Sequence, residues 1–356
     1  MLSLDDPRRH VHVRAERVSA VSSTDYPGHY PDEDHSWNLA QFKDRMSVKV
    51  QRLSQKSIDF DLVCVDASIA NAFRRIIIAE VPTVCFEFVY VFNNTSVVVD
   101  EILAQRIGLV PLNVDPDVML RRTDPSDQPT DRNTLVFKLK VACEHNPAAP
   151  KGATAPSQLY INHEVLSGHL QWEPVGEQES VFENNPPRPT NPNIVLTKLR
   201  PGQAVEMDLH AVKSVGKDHA KYSPVATASY RLLPHIILNP EKPIPPHLAE
   251  KFQKCFSPGV IRVDPVTKAV SIDPVGVRND SVSREVLRHP EFEGRVELKR
   301  IRDFFLFNIE SEGPYAPEQL LPEAIKVMRE KLDTIRKAAE ALLADTQAMD
   351  VDMTMS

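Results

Sequence analysis

Apolar residues recur at three- and four-residue steps in two long stretches of the chain and at alternate positions in several shorter ones. From Asp66 to Glu80, Ile69, Ala72, Phe73, Ile76 and Ile77 fall on one stripe of a helix. Asp66 or Ser68 can cap its start and Val81-Pro82 ends it. Arg74 and Arg75 lie toward the end of this helix, where the dipole favours cations. A second helix is predicted over Pro317 to Leu343. There Ile325, Met328, Leu332, Ile335, Ala339 and Leu342 form a narrow seam. By pattern alone two partners fit that seam, a helix of another chain or a sheet of this one.

Alternation predicts strands where Ile58, Phe60 and Leu62 follow one another, and again through Val84, Phe86, Phe88 and Tyr90 up to a turn at Asn93-Asn94. A short helix starts at Asp100 and closes with Gly108, and further strands are read over Leu135 to Val141 and Ile194 to Leu199. Residues 235–290 carry a Pro-rich entry, a helix from Pro246 to Cys255, and strands over Val260 to Val263 and Ala269 to Ile272. Beyond Arg302, Phe304, Phe305, Leu306, Phe307 and Ile309 restore core-like sequence before a Gly313-Pro314 turn. The mixture predicts an α+β fold. Residues 1–45 read as an extended arm, because Pro7, Pro27, Gly28 and Pro31 interrupt any period, and residues 346–356 read as a disordered acidic tail.

Composition narrows the chemistry. The 49 acidic against 42 basic side chains leave a net charge of -7, which argues against nucleic-acid binding as a primary role. Arg295, Lys299, Arg300 and Arg302 form the densest basic run, yet Glu291, Glu293 and Glu297 dilute it and no aromatic rings interleave. No stretch is long and apolar enough to span a membrane, and Asp5, Asp6, Arg8 and Arg9 break any leader-like run, so an intracellular chain is expected. Cys64, Cys85, Cys143 and Cys255 are too scattered for a zinc ribbon, and reduced thiols are expected.

Enzymatic frames fail on spacing. Gly216-Lys217 would need Gly at 211 and Ser or Thr at 218 to make a phosphate loop, but Ala211 and Asp218 stand there. His163-Glu164 and His169 miss the spacing of a metalloprotease helix, because Ser167 occupies the second histidine's place. The Lys217, His219, Lys221 group has proton-moving side chains without a frame; together with Lys213 and Arg231 it can meet an acidic partner or stay hydrated.

Three segments together carry a family resemblance. Asn71, Ala72, Arg74 and Arg75, followed by Asp100 to Pro111, closely resemble the alpha-like subunits of cellular RNA polymerases. The Val215 to Pro234 block and Thr24 to Tyr30 look like the larger alpha-like subunit shared by polymerases I and III; the similar regions cover most of residues 24–345. The resemblance implies a discontinuous dimerisation domain from 46–90 and 291–345, and a mixed insert domain over 91–290 with a small ferredoxin-like inserted subdomain at 235–290. It implies a non-catalytic scaffold without cofactor, situated in the nucleus including the nucleolus. Its partners would be a small alpha-like polymerase subunit, the second-largest polymerase subunit and small zinc-binding polymerase subunits. The interface residues carried over are Asn71, Phe73, Arg74, Arg75, Ile325, Met328, Leu332 and Ile335, beside Lys217, His219 and Lys221. Some relatives hold zinc or an iron–sulfur cluster in a cysteine-rich loop. Around Cys255 to Gly259 this chain keeps a single cysteine, which implies no metal here and separates it from the polymerase II counterpart, the runner-up.

Overall fold

The computed structural model describes residues 6, 9–21, 37–122, 124 and 127–355, with side chains through Leu343 in the last helix. Contacts divide the chain into two units, each assembled from separated segments: residues 1–52, 59–71 and 229–308 in the first, and 53–58, 72–228 and 309–356 in the second. Thr24 to Tyr30 lies outside the described residues.

The first unit is built on a six-stranded sheet in the order Val18–Ser19, His10–Val13, Val296–Ser311, Ser57–Val63, Ser47–Leu53, with Val225–Leu238 also paired to Val296–Ser311. Phe60 and Phe307 stack in parallel 5.0 Å apart, and the Tyr230 and Phe305 rings meet edge to face at 5.2 Å. A half-buried ion pair braces the same unit. Asp61 accepts from Arg278 Nη2 at 2.5 Å and from Gln51 Nε2 at 2.6 Å.

Residues 9–21 depart from the expected extended arm. His10 to Val13 pairs antiparallel with Leu298 to Ile301, and Val11 and Val13 are buried. Two valines among histidines and arginines are too short a signal to announce a strand. Leu39–Arg45 is likewise a helix, capped by the Asn38 side chain. The segment at 235–290 contains the Ala249–Lys254 helix and a two-stranded hairpin, Ile261–Val263 against Val270–Ile272. Phe252, Phe256, Val260, Val286 and Phe292 form a core beside it.

A four-stranded antiparallel sheet organises the second unit, in the order Gln171–Glu173, Leu135–Ala142, Ala204–Val215, Pro82–Asn94. Its inner face alternates as strands require: Val205, Met207, Leu209 and Ala211 are buried while the residues between them are less so. Leu103 and Ile107, one turn apart on the Asp100–Gly108 helix, complete this core, and Phe86 meets Phe137 edge to face at 5.1 Å.

Asp66 starts the Ala67–Ala79 helix. Its Oδ1 accepts from the Ser68 N–H at 2.8 Å, and its carbonyl accepts from the Ile69 and Ala70 N–H groups. Hydrogen bonds from Ser68 hold the Asp66 carboxyl below the usual range. Asp66→Ala is expected to lower stability by about 0.5–2 kcal/mol at neutral pH. Because the folded pKa is depressed, this contribution is present above the unfolded value near ~4 and fades as pH falls through the folded one. Urea titrations of both proteins at neutral and acid pH should show the gap narrowing.

The last helix runs Leu320–Met355, longer than predicted, and its backbone continues through the segment read as a disordered tail. Neither Pro nor Gly occurs after Pro322 to stop it.

Candidate assembly interface

The Ala67–Ala79 helix turns Ala70, Phe73, Ile76 and Ile77 inward. Phe73 is therefore core of this chain, which corrects its placement on a partner surface: the 3.6-residue period groups it with 70, 76 and 77. Asn71 and Arg74 are half-buried and Arg75 is exposed. Of the two guanidinium groups, Arg75 is the more open to a partner.

On the Leu320–Met355 helix, Leu320 and Ala324 are buried. The seam that follows is not. Met328 is half-buried, Ile325 is 39 % exposed, Leu332 55 %, Ile335 65 % and Leu342 69 %. The polar side of the helix is tied to its own unit: Lys326 Nζ reaches Asp117 at 2.6 Å, and Lys331 Nζ reaches both Glu80 oxygens at 2.7 and 2.8 Å. The bond from Lys326 to Asp117 raises the lysine's pKa. The helix thus begins anchored and presents uncovered apolar surface as it proceeds.

The Val215 to Pro234 block has structural work of its own. A Cβ on Gly216 would lie 2.4 Å from the Ile78 carbonyl oxygen, and the Lys217 N–H donates to the Ala79 carbonyl at 2.7 Å. Glycine stands here so that backbone can touch the end of the Ala67–Ala79 helix, which accounts for the Gly-Lys pair without any phosphate. Gly216→Ala should destabilise the fold by about 1–3 kcal/mol, the range of core overpacking, measurable as a lower Tm.

Lys217 and His219 are exposed, while Lys221 turns inward and is 12 % exposed in its side chain. Its ammonium binds Glu87 at 2.5 Å and the Phe86 carbonyl at 2.7 Å, so it braces the Pro82–Asn94 strand instead of facing a partner. Tyr222 donates to the same Glu87 at 2.8 Å, and Thr83 donates to the Tyr222 carbonyl at 2.7 Å. Burial alone would raise the pKa of Glu87, but the bonds from Lys221 and Tyr222 outweigh it and hold the carboxyl low. Burial pushes the Cys85 thiol up to about 11, making it a poor nucleophile. Asp218 is held low by Ser214 first and by Arg121, whose Nη2 lies 2.6 Å away. These partners are far apart in sequence, so spacing could not reveal them. Among the described residues no group of His, Cys, Asp and Glu is arranged to hold a metal, and no helix is long and apolar enough to cross a membrane.

The profile of the RNA polymerase Rpb3/Rpb11 dimerisation domain matches residues 59–332. The chain belongs to that family. It is 47% identical over 330 residues to the Saccharomyces cerevisiae subunit RPAC1 of DNA-directed RNA polymerases I and III, covering 92% of this chain and 97% of the yeast protein. Against human RPAC1 it is 42% identical over 343 residues, covering 96% and 99%. The Dictyostelium discoideum RNA polymerase II subunit rpb3 is more distant, 32% identical over 320 residues, 86% of this chain and all of that one. The matched region opens inside the Ser57–Val63 strand and ends within the exposed seam, so it includes the whole Ala67–Ala79 helix and the first part of the Leu320–Met355 helix.

Proposed function

We propose that this chain is a non-catalytic assembly subunit of DNA-directed RNA polymerases I and III, acting in rRNA, 5S rRNA and tRNA transcription in the nucleus and nucleolus. It pairs with a small alpha-like polymerase subunit, and the pair forms the platform for the second-largest catalytic subunit and small zinc-binding subunits. The finer topology belongs to the same proposal: a discontinuous dimerisation domain over 46–90 and 291–345, with a ferredoxin-like insert at 235–290.

The observation that carries it is the apolar seam left uncovered from Ile325 to Leu342 on an anchored helix. An obligate partner interface is apolar at its centre and buries about 2,000–5,000 Å². Asn71 and Arg75 are proposed as separate polar contacts with a partner, and Lys217 and His219 are exposed for an acidic neighbour. The higher identity to the shared polymerase I and III subunit than to the polymerase II relative favours the former complex.

The test is affinity purification of the tagged chain from its native cells, with stoichiometry by mass spectrometry. Recovery of the largest subunits of both polymerases with one small alpha-like partner per copy is the expected result. Recovery with polymerase II alone would shift the assignment to that scaffold. Recovery without any polymerase would overturn it, and turnover by the isolated chain lost in His219→Ala would point to an enzyme.

A further inference from the structure

A cleft of about 540 Å³ opens in the second unit between the start of the Asp100–Gly108 helix and the Val195–Lys198 strand. Its volume is that of a ligand-sized site. Three features distinguish it from an ordinary surface fold. Val97, 84 % exposed, and Ile102 present apolar side chains on one wall. Arg106, Lys198 and Arg200 all line the cleft, and no carboxylate does. Thr197 also lines it, is only 4 % exposed, and its Oγ1 has no hydrogen-bond partner among the described residues. A buried hydroxyl without a partner is uncommon, because leaving it unbonded is unfavourable.

The cations are partly engaged already. Arg106 donates through Nε to the Leu196 carbonyl at 2.9 Å and through Nη2 to that of Val195 at 2.6 Å. Lys198 lies 3.1 Å from Glu164, and Arg200 donates to the Leu199 carbonyl while its guanidinium sits 5.7 Å from the Tyr160 ring centre. Three cations line the cleft itself, with Glu164 on Lys198 and with Asp100 and Glu101 in the first turn of the bounding helix. The arginine bonds also fix the strand's carbonyls, so the wall is preformed.

We infer that this cleft docks an acidic segment of a partner protein, with an apolar anchor against Val97 and Ile102 and carboxylates on Lys198 and Arg200. Complementary charge selects the occupant: a carboxylate-bearing peptide gains two charge-assisted contacts, and an uncharged one leaves the cations unanswered. The surface is separate from the Ile325 to Leu342 seam and does not rest on its assignment.

The probe is a fluorescein-labelled peptide, Asp-Leu-Asp-Glu-Phe-Glu, titrated with the full-length chain and followed by anisotropy. Saturable, salt-sensitive binding is expected. Lys198→Glu with Arg200→Glu should weaken it by about tenfold or more, as should replacing the peptide's acids by amides. Met328→Asp with Leu332→Asp should bind the probe like the parent, separating this site from the seam. No saturable binding, or unchanged affinity in the charge-reversed protein, overturns the inference. Preferential binding of a labelled oligothymidine at the same residues would also overturn it, in favour of nucleic acid.

Discussion

Met328→Asp combined with Leu332→Asp is expected to abolish capture of the small alpha-like partner while the chain itself stays folded. Leu332 is more than half exposed and Met328 half-buried in the isolated chain, so their replacement removes little of its own packing. In a complex the position differs. Burying a Leu- or Met-sized side chain contributes about 1.5–3 kcal/mol, so losing two weakens binding by roughly 100- to 10,000-fold. Two carboxylates desolvated without partners add a further unfavourable contribution of several kcal/mol. Co-expression with the small partner followed by quantified co-purification reads the result. Leu332→Met, which conserves volume, should capture the partner almost normally. A folded double variant with undiminished capture would sink the seam.

The second large effect concerns stability. Asp61 is buried, and its oxygens answer Arg278 at 2.5 Å and Gln51 at 2.6 Å. Asp61→Ala leaves the half-buried Arg278 guanidinium without its carboxylate, while the exposed Gln51 amide returns to water, so the loss is that of a charge-assisted hydrogen bond, about 1–3 kcal/mol. Chemical denaturation should show the loss as a lower midpoint. The pair need not be stabilising as a whole: Asp61→Leu with Arg278→Met should recover much of the loss, because it removes both charges together. A drop under ~1 kcal/mol for Asp61→Ala would mean that water or a neighbour replaces the carboxylate.

Much of the local structure was legible. The Asp100 to Gly108 helix starts and stops where an acidic first turn and a glycine place it. Ile58, Phe60 and Leu62 alternate on a strand, and Asp66 caps its helix through the side chain that the sequence offers. Other elements escaped. Ala204–Val215 alternates as clearly as any strand, with Val205, Met207, Leu209 and Ala211 between acids and a histidine, yet it is not among the strands read from the sequence. His10–Val13 has only two apolar residues and becomes a strand because Leu298 to Ile301 supplies its hydrogen-bond partners.

For the candidate interface, spacing identified the Ile325 to Leu342 seam but left open whether a sheet of the same chain covers it. Exposure along the folded helix answers that question for this chain. Lys221 shows the reverse. In sequence it is one of several lysines available to a partner; in the fold its ammonium is consumed by Glu87 and the Phe86 carbonyl, 135 positions earlier in the Phe86 case.

By itself, then, the sequence determined what depends on neighbours within a turn or two: helical stripes, strand alternation, the Asp66 cap, and the failed spacing of catalytic frames. The tertiary structure alone decided which apolar stripe is spent inside the chain, as with Phe73, and which is left outside, as with Leu332. It also decided which charges are matched, as with Asp61 and Arg278, and why Gly216 must lack a side chain. The reason is physical: periodicity reports the direction in which a side chain points along its own element, whereas burial and hydrogen bonding depend on what distant segments place there.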